Sequence, residues 1–251
     1  MSKLGFNVVS SGSKGNSTIL WDSDNAIVID FGISVKRFRA RADELNIGDL
    51  PMSILITHEH GDHSSGLGAA SRMLKADIYL REKTKNVISL DRAFCVGDDL
   101  IIGNFYIKPL SVSHDAVDPV GYVIENKGRK ISLFSDLGYF PMDHSDIVSG
   151  SDILAIESNH DTEMLRTGPY PESLKKRIMS DHGHMSNEQC SQALEAISDR
   201  DTKIVLLHLS DENNTPETAY LTARDHLNNR EVGYRSIECA KQLVGSSVYW
   251  V

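Results

Sequence analysis

The sequence predicts an α/β fold in which helices cover layered β-sheets. Apolar stretches of strand length, rich in Val, Ile and Leu, alternate along the chain with longer stretches of helical pattern. Several predicted strands end in His, Asp or Glu, which fits a functional site at one rim of the sheets. We find no internal repeat, low-complexity segment or linker-like change in composition, so we predict one domain over residues 1–251.

The predicted strands are short apolar runs, several of which end in a polar residue. The run 52–56, Met-Ser-Ile-Leu-Ile, is a typical buried strand. Gly103-Asn104 predicts the turn of a hairpin over 98–110. The other predicted strands cover residues 4–9, 18–21, 26–30, 77–80, 120–124, 130–136, 152–157 and 203–208.

Helical patterns occur at residues 34–46, 64–75 and 172–180, at 186–199, and in a last long helix that starts at Thr215-Pro216. Ser186 and Gln189 have the spacing of a capping box, which predicts the start of the fourth helix. Thr215 suits the N-cap and Pro216 the first position of the last helix.

Most of the side chains that could bind a metal lie in Thr57-His58-Glu59-His60-Gly61-Asp62-His63, directly after the 52–56 strand. His58 and His60 are two residues apart and can point the same way along an extended segment. Asp62 and His63 follow Gly61, which lets the chain turn, so they can face a second centre. The alternative is a polar surface turn, but nitrogen and carboxylate groups at this density indicate a bound cation.

The same ligand chemistry recurs at later strand ends. His114, Asp136 and His208 each follow a predicted strand, and if these ends share a rim they can join the 58–63 segment. A lone strand-end histidine is more often hydrogen-bonded and structural, but several such ends together favour a metal site. Asp30, at the end of another strand, is either a turn aspartate or a support for the metal loop.

The His-x-His-x-Asp-His pattern resembles the signature of the metallo-β-lactamase-fold hydrolases. The resemblance implies a four-layer αββα sandwich with metal ions at one rim of its sheets. Matched position by position, it implies one metal site of His58, His60 and His114, a second of Asp62, His63 and His208, and Asp136 as the carboxylate that bridges them.

The chemistry of these side chains agrees with that division. A bridging ligand needs two oxygens, which a carboxylate has and an imidazole lacks. The nitrogen and oxygen ligands suit two divalent ions, Mn²⁺ or Zn²⁺ or else Fe²⁺. Two such ions would activate one water as a nucleophile at neutral pH, and Asp62 could accept a hydrogen bond from that water.

Three histidines are candidates for protonating the leaving oxygen. His182 and His184 precede the capped helix at 186–199, where the helix dipole would favour a bound phosphate. A polar loop that only caps the helix is the alternative. His160 follows the 152–157 strand and could be oriented by Glu157. The sequence leaves the choice among the three open.

The loop between the first two strands, residues 10–17, is small, polar and glycine-containing. It is either a plain hairpin loop or a cradle for a substrate phosphate, with Ser13, Lys14 and Asn16 as candidate contacts. The basic residues at 36–41 and 175–177 are either solvated helix faces or contacts to a polynucleotide backbone.

Composition excludes several classes of protein. The formal charge of −9 argues against a broad basic surface for duplex nucleic acid, although bound cations would offset part of it locally. We find no apolar run of membrane-spanning length, and the first residues suit a strand better than a signal peptide. The odd number and wide spacing of Cys95, Cys190 and Cys239 indicate reduced thiols, so we expect a cytoplasmic protein without a membrane partner.

Six blocks spread over nearly the whole chain resemble the YycJ/WalJ (VicX) family: residues 11–17, 57–63, 135–138, 157–161, 181–187 and 208–214. The resemblance implies a bacterial, cytosolic, metal-dependent 5′→3′ exonuclease that acts on DNA ends. The segment between Asp136 and His208 is too short for the insertion with which larger nucleases of this fold clamp a polynucleotide.

Two other functions remain open from the sequence. The acidic charge and the missing clamp favour a small-molecule (cyclic) phosphodiesterase, or another ester hydrolase of the same fold. A metal-bound regulatory protein without turnover is the third possibility, and the intact set of ligands argues against it.

Overall fold

The computed structural model describes residues 3–90 and 92–251; the first two residues of the predicted N-terminal segment lie outside this part. Within the described residues, two mixed sheets contain seven strands each, in the orders β14-β1-β2-β3-β4-β5-β6 and β13-β12-β11-β10-β9-β8-β7. Numbered along the chain, the strands are β1 (Gly5–Ser10), β2 (Ser17–Trp21), β3 (Ala26–Ile29), β4 (Met52–Leu55), β5 (Asp77–Leu80), β6 (Ala93–Cys95), β7 (Leu100–Ile102), β8 (Phe105–Ser111), β9 (Val120–Asn126), β10 (Arg129–Phe134), β11 (Ile153–Glu157), β12 (Lys203–Leu207), β13 (Ser236–Cys239) and β14 (Tyr249–Trp250).

The helices lie outside the two sheets, and none of those described is long and apolar enough to cross a bilayer. Both predicted helix starts are confirmed: Ser186 and Gln189 form a capping box, and Thr215 caps a helix with Pro216 in its first turn. In chain order the helices are α1 (Val35–Glu44), α2 (Gly61–Ser64), α3 (Leu67–Leu74), α4 (Glu82–Val87), α5 (Ser145–Val148), α6 (Thr162–Thr167), α7 (Glu172–Ile178), α8 (Asn187–Ile197) and α9 (Pro216–Asn229).

Three apolar clusters separate four layers, which confirms the predicted αββα sandwich. The central cluster lies between the sheets and includes Phe6, Leu55 and Tyr122. A second cluster packs α1 and α3 on the first sheet, and a third packs α8 and α9 on the other. Successive residues of the inner strands alternate between the central cluster and an outer one, so both faces are buried. This double burial explains why these strands are continuous apolar runs.

The predicted secondary structure was wrong for the helix at 64–75 and for the edge strands. The helix expected over 64–75 is two helices, and the first of them, α2, contains part of the metal motif. The break falls at Gly66, where a Cβ atom would lie 2.2 Å from the carbonyl oxygen of Ile33, so the backbone after β3 packs directly against the chain there. The short edge strands β6, β13 and β14 were missed, because they are at most partly buried and so leave no continuous apolar run in the sequence.

Candidate metal centre

The carboxyl ends of several strands meet at one rim of the sandwich. In the first sheet β3 and β4 are parallel, and in the second β10, β11 and β12 are parallel. Asp30 follows β3, His58 follows β4, Asp136 follows β10, Glu157 ends β11 and His208 follows β12. Parallel strands thus bring five polar side chains, far apart in sequence, to one place.

Asp136 lies at the centre of this rim and is buried. Its Oδ2 atom is 3.7 Å from Nε2 of His58, 3.2 Å from Nε2 of His63 and 3.7 Å from Nε2 of His114. Its other oxygen, Oδ1, is 3.2 Å from Nδ1 of His208. One carboxylate therefore faces imidazoles on several sides, as a ligand shared between two cations must.

The side chains around Asp136 divide into groups whose donor atoms lie within 4.8 Å of one another. Two of these groups have the composition that the family resemblance implies for the two metal sites: His58, His60, His114 and Asp136, and Asp62, His63, Asp136 and His208. A third, overlapping group adds two side chains that the metal prediction did not include: it consists of Asp136, Glu157, His184 and His208.

Acceptors behind the imidazoles set which ring nitrogen faces the cluster. A proton held on Nδ1 by an acceptor leaves Nε2 free to bind a metal. Three such pairs are present: Nδ1 of His63 with Asp30 at 2.7 Å, Nδ1 of His114 with the carbonyl oxygen of Gly183 at 3.0 Å, and Nδ1 of His208 with Glu157 at 3.0 Å.

Buried ring nitrogens provide a direct test of whether a metal fits. Nε2 of His58 and Nε2 of His208 are buried without a hydrogen-bond partner among the described residues. An unpaired buried polar atom is costly, and natural proteins rarely keep one without a reason. Both atoms belong to the groups around Asp136. A divalent cation would satisfy them, so the donor set fits a metal.

The electrostatics of the cluster also favour a cation. Burial lowers the pKa of His63 and of His208, but Asp136 and other carboxylates outweigh burial, raising the pKa of His63 well above its ordinary value and that of His208 to about 10. Burial lowers the pKa of His58 and of His114, which keeps these imidazoles neutral. Neutral imidazoles beside carboxylates that attract positive charge are what a divalent ion requires.

The loop between β1 and β2 holds the motif helix α2 in place. The backbone N–H of Asn16 donates to the carbonyl oxygen of Asp62 at 2.7 Å, and its side-chain amide lies 3.2 Å from Oδ2 of Asp62. A Cβ atom on Gly32 would lie 1.6 Å from that same carbonyl oxygen, so only glycine fits there. Burial raises the pKa of Asp62, but the imidazoles of His208 and His63, whose Nε2 atoms each lie 3.5 Å from Oδ2 of Asp62, outweigh burial and lower it overall. Asp62 is therefore an anion whose main chain and side chain are both fixed.

Of the three candidate proton donors, His184 is the one that joins the cluster. Its Nδ1 lies 2.8 Å from Oε1 of Glu157, and its ring centre is 5.2 Å from that of His114. Burial lowers its pKa, but Glu157 raises it overall above the ordinary value. The opposite oxygen of Glu157 accepts hydrogen bonds from the backbone N–H groups of Leu137 and Met185, so the carboxylate is fixed.

The other two candidates lie elsewhere. His182 is exposed, its Nδ1 lies 2.9 Å from the hydroxyl of Ser113, and it belongs to none of the groups around Asp136. His160 is buried, Glu157 makes no hydrogen bond to it, and burial lowers its pKa to about 4. An imidazole that is neutral at pH 7 is a poor proton donor.

The candidate phosphate contacts do not form one cradle. Asn16 faces the metal motif, and Lys14 forms an ion pair with Asp211 at 2.8 Å. Ser13 lines a cavity beside His184 and His208. Sequence reasoning did not separate these roles, because it cannot tell where a loop side chain points.

The basic helices are also largely engaged within the protein. Three arginines of α1, Arg37, Arg39 and Arg41, donate hydrogen bonds to groups of the protein. On α7, Lys175 is buried and donates to the carbonyl oxygen of Arg166. Arg177 is more exposed and lines the cavity next to His184, where it pairs with Asp115. The sequence offered Arg177 only as part of the basic run 175–177, and Asp115 was not predicted as a site residue.

Comparison with known proteins shows the family to which the chain belongs. Residues 25–209 match the family model described as β-lactamase superfamily domain. Exodeoxyribonuclease YycJ of Bacillus anthracis is 38% identical over 242 residues, which cover 92% of this chain and 91% of that protein. Exodeoxyribonuclease WalJ of Streptococcus pneumoniae is 37% identical over 248 residues, covering 93% of this chain and 92% of that protein.

Solved structures agree on the fold. The metallo-β-lactamase fold protein YhfI of Bacillus subtilis superposes with a TM-score of 0.73 over 98% of this chain and 99% of that one, at 14% identity. Yeast PDE1 superposes with a TM-score of 0.73 over 96% and 98%, at 13% identity. At such low identity the superpositions show a common fold.

Proposed function

The chain belongs to the β-lactamase superfamily, and from this membership and the geometry of its rim we propose that it is a metal-dependent phosphodiesterase that digests DNA from its ends in the 5′→3′ direction. The observation that carries the proposal is Asp136, which lies within 3.7 Å of ring nitrogens of four histidines. The DNA substrate is inferred from the similarity to the exodeoxyribonucleases YycJ and WalJ.

We propose that two divalent cations occupy the rim, with Asp136 shared between them. The ligands of the first would be His58, His60 and His114, and those of the second Asp62, His63 and His208. The nitrogen and oxygen donors suit Mn²⁺ or Zn²⁺, or else Fe²⁺. When bound, such ions provide a nucleophile at neutral pH and stabilise the negative charge that develops on the phosphate.

The protein's own groups would position the nucleophile and transfer protons. Asp62, an anion held by its main chain and by two histidines, can accept a hydrogen bond from the attacking water. Glu157 holds Nδ1 of His184, so that Nε2 is free to face the cavity. The raised pKa of His184 keeps a proton available for the leaving oxygen. The attacking water would form a bond to phosphorus and lose a proton to solvent, the P–O bond to the leaving oxygen would break, and that oxygen would take the proton from His184, which would regain one from solvent.

The expected cellular setting is the cytoplasm. Cys95, Cys190 and Cys239 are free thiols, which suits a reducing compartment. We propose that residues 1–251 act as one domain, since the alignment to YycJ covers 92% of the chain.

The proposal is tested with linear DNA labelled at the 5′ or the 3′ end and incubated with protein and Mn²⁺ or Zn²⁺. We expect metal-dependent shortening from the 5′ end, and no shortening with Asp62→Ala. Asp225→Ala removes an exposed carboxylate on α9 that pairs with Arg224, and it serves as the matched control with unchanged activity. Intact DNA together with hydrolysis of a small phosphodiester would contradict the DNA substrate.

A further inference from the structure

A cavity of about 190 Å³ lies beside the proposed metal centre and has two kinds of wall. His184 and His208 contribute the side next to the metal centre. The ring of Tyr170 contributes an aromatic wall, which the aliphatic side chains of Leu174 and Ile178 extend. A nucleotide combines a flat apolar base with an anionic phosphate, and a wall of this kind offers the base a surface for stacking.

Arg177 supplies a cation at the edge of this cavity. Its Nε and Nη2 atoms lie 2.6 and 2.5 Å from Oδ2 of Asp115. The other oxygen of Asp115 is 3.2 Å from Nε2 of His114, a proposed metal ligand. The guanidinium is thus separated from the metal centre by the width of one carboxylate. Among the described residues that line the cavity, Arg177 is the one Lys or Arg side chain, and it lies apart from the histidines of the metal centre.

The position of Arg177 relative to the centre is fixed by the backbone that follows α7. The N–H of His184 donates to the carbonyl oxygen of Ile178 at 2.9 Å, and the N–H of Asp115 donates to that of His182 at 3.0 Å. Gly183, between the two histidines, is pressed onto the end of α7, where a Cβ atom would lie 2.3 Å from the carbonyl oxygen of Arg177. The helix end, His184 and Asp115 therefore form one rigid unit.

Resting on the proposed function, we propose that this cavity is the subsite for the nucleotide adjacent to the scissile phosphate. Its base packs against Tyr170, and its own phosphate takes the place of Asp115 on the guanidinium of Arg177. The exchange is feasible because the side chains of Arg177 and Asp115 are 57% and 32% exposed, and exposed ion pairs contribute little stability. A guanidinium also binds phosphate in a bidentate manner.

Binding to uncleavable DNA tests the subsite independently of turnover. Mn²⁺-loaded protein is titrated into a fluorescent phosphorothioate oligothymidylate at several salt concentrations. Arg177→Gln should weaken binding and reduce the slope of log K against log salt by about 0.7, the value for one phosphate of a single strand. Arg224→Gln is the matched control, because Arg224 also pairs with an aspartate, on the outer helix α9. Equal salt slopes for the two variants would overturn the proposal.

The aromatic wall is tested in the same assay. Tyr170→Ala should weaken binding roughly 5- to 150-fold, the range for loss of one base–aromatic stack, whereas Tyr170→Phe retains the ring and should bind like the wild type. Equal weakening by both substitutions would contradict stacking and indicate a role for the hydroxyl.

Hydrolysis assays separate this inference from the proposed function. With DNA, Arg177→Gln should raise KM more than it lowers kcat. With bis-(para-nitrophenyl) phosphate, which needs the metal centre but not the neighbouring subsite, kcat/KM should stay within about twofold of the wild type. An equal loss on both substrates would show that Arg177 acts through Asp115 on the metal centre, and would overturn the subsite. Wild-type protein that binds DNA with the predicted pattern but never cleaves it would refute the exonuclease function and leave the subsite standing.

Discussion

Replacing Asp30 by Asn tests whether the residues behind the ligands control metal binding. Oδ2 of Asp30 accepts a hydrogen bond from Nδ1 of His63 at 2.7 Å, and Oδ1 accepts one from the backbone N–H of Thr57 at 2.9 Å. Asn matches Asp in size and tolerates the left-handed backbone of this position, where φ is 60°. The substitution therefore changes the hydrogen-bond chemistry while it leaves the backbone unstrained.

The expected effect follows from the tautomer of His63. If the amide oxygen keeps the bond to Thr57, the amide N–H₂ faces Nδ1 of His63 and donates to it. In the neutral ring that a metal requires, the remaining proton must then be on Nε2, the nitrogen that lies 3.2 Å from Asp136. Loss of such a supporting contact costs about 10- to 100-fold in metal affinity, or about 1.4–2.8 kcal/mol. That range agrees with about 1.5–3 kcal/mol for a hydrogen bond to a charged group.

The assay is a titration of Mn²⁺ or Zn²⁺ in competition with a chelator. Asp22→Asn provides the control, since Asp22 is equally buried and accepts hydrogen bonds from Asn104 and Asn126, away from the rim. Asp22→Asn should lower the free energy of unfolding and leave metal affinity unchanged. The reasoning fails if Asp30→Asn binds metal within twofold of the wild type, or if both substitutions weaken metal binding equally.

Four further outcomes are expected. His184→Ala should retain the metals, measured by elemental analysis, and lose about 10²- to 10⁴-fold in rate; loss of metal would contradict its role as proton donor. Burial raises the pKa of Asp22, but hydrogen bonds from Asn104, Asn126 and backbone N–H groups lower it from 3.8 to about 2 overall. Its contribution, up to about 2 kcal/mol, is present above pH 4 and is lost as the pH falls towards 2. The destabilisation by Asp22→Asn in urea should thus be smaller at pH 2.5 than at pH 7, and a constant difference would refute this. Gly183→Ala should cost about 1–3 kcal/mol, because its Cβ atom would lie 2.2 Å from the carbonyl oxygen of Ile178. Gly97→Ala, with no atom within 4 Å, is the control in the same thermal melts. Mn²⁺ at 100 times its Kd should stabilise the protein by about 2.7 kcal/mol, and an unchanged Tm would contradict a metal bound to the folded state.

The fold was predictable because its inner strands are buried on both faces. Ala26 and Val28 of β3 face the outer cluster while Ile27 and Ile29 face the central one, which makes the strand apolar throughout. Strands of this kind show in the sequence as short apolar runs. The edge strand β14 has two residues and is only partly buried, so it leaves no such pattern.

The site residues were predictable only where neighbouring residues in the sequence form a recognisable ligand motif or end a strand. The segment 57–63 concentrates ligand types, and strand ends direct attention to residues such as Asp136. The pairing of Arg177 with Asp115 joins residues 62 positions apart, and nothing in the basic run 175–177 indicates that one of its members faces Asp115. His182 is exposed whereas His184 contacts Glu157, although only Gly183, packed on the end of α7, separates the two in sequence. These contacts depend on tertiary packing, which the local sequence does not reveal.

The rim contains several features that oppose folding unless a ligand offsets them. Asp30, Asp136 and His208, each directly after a strand or one residue beyond it, have positive φ angles of 60°, 55° and 52°. Such conformations cost of order 1 kcal/mol or more for residues other than glycine, although Asp tolerates them better than most. The unpaired Nε2 atoms of His58 and His208 add a desolvation cost. Nε2 of His58 faces Asp136 and Nε2 of His208 faces Asp62, while Asp30 holds the ring of His63, so a cation bound among these groups would offset the cost of all of them together. The strain and the unpaired nitrogens are therefore best understood as preorganisation of one metal centre rather than as separate defects of the fold.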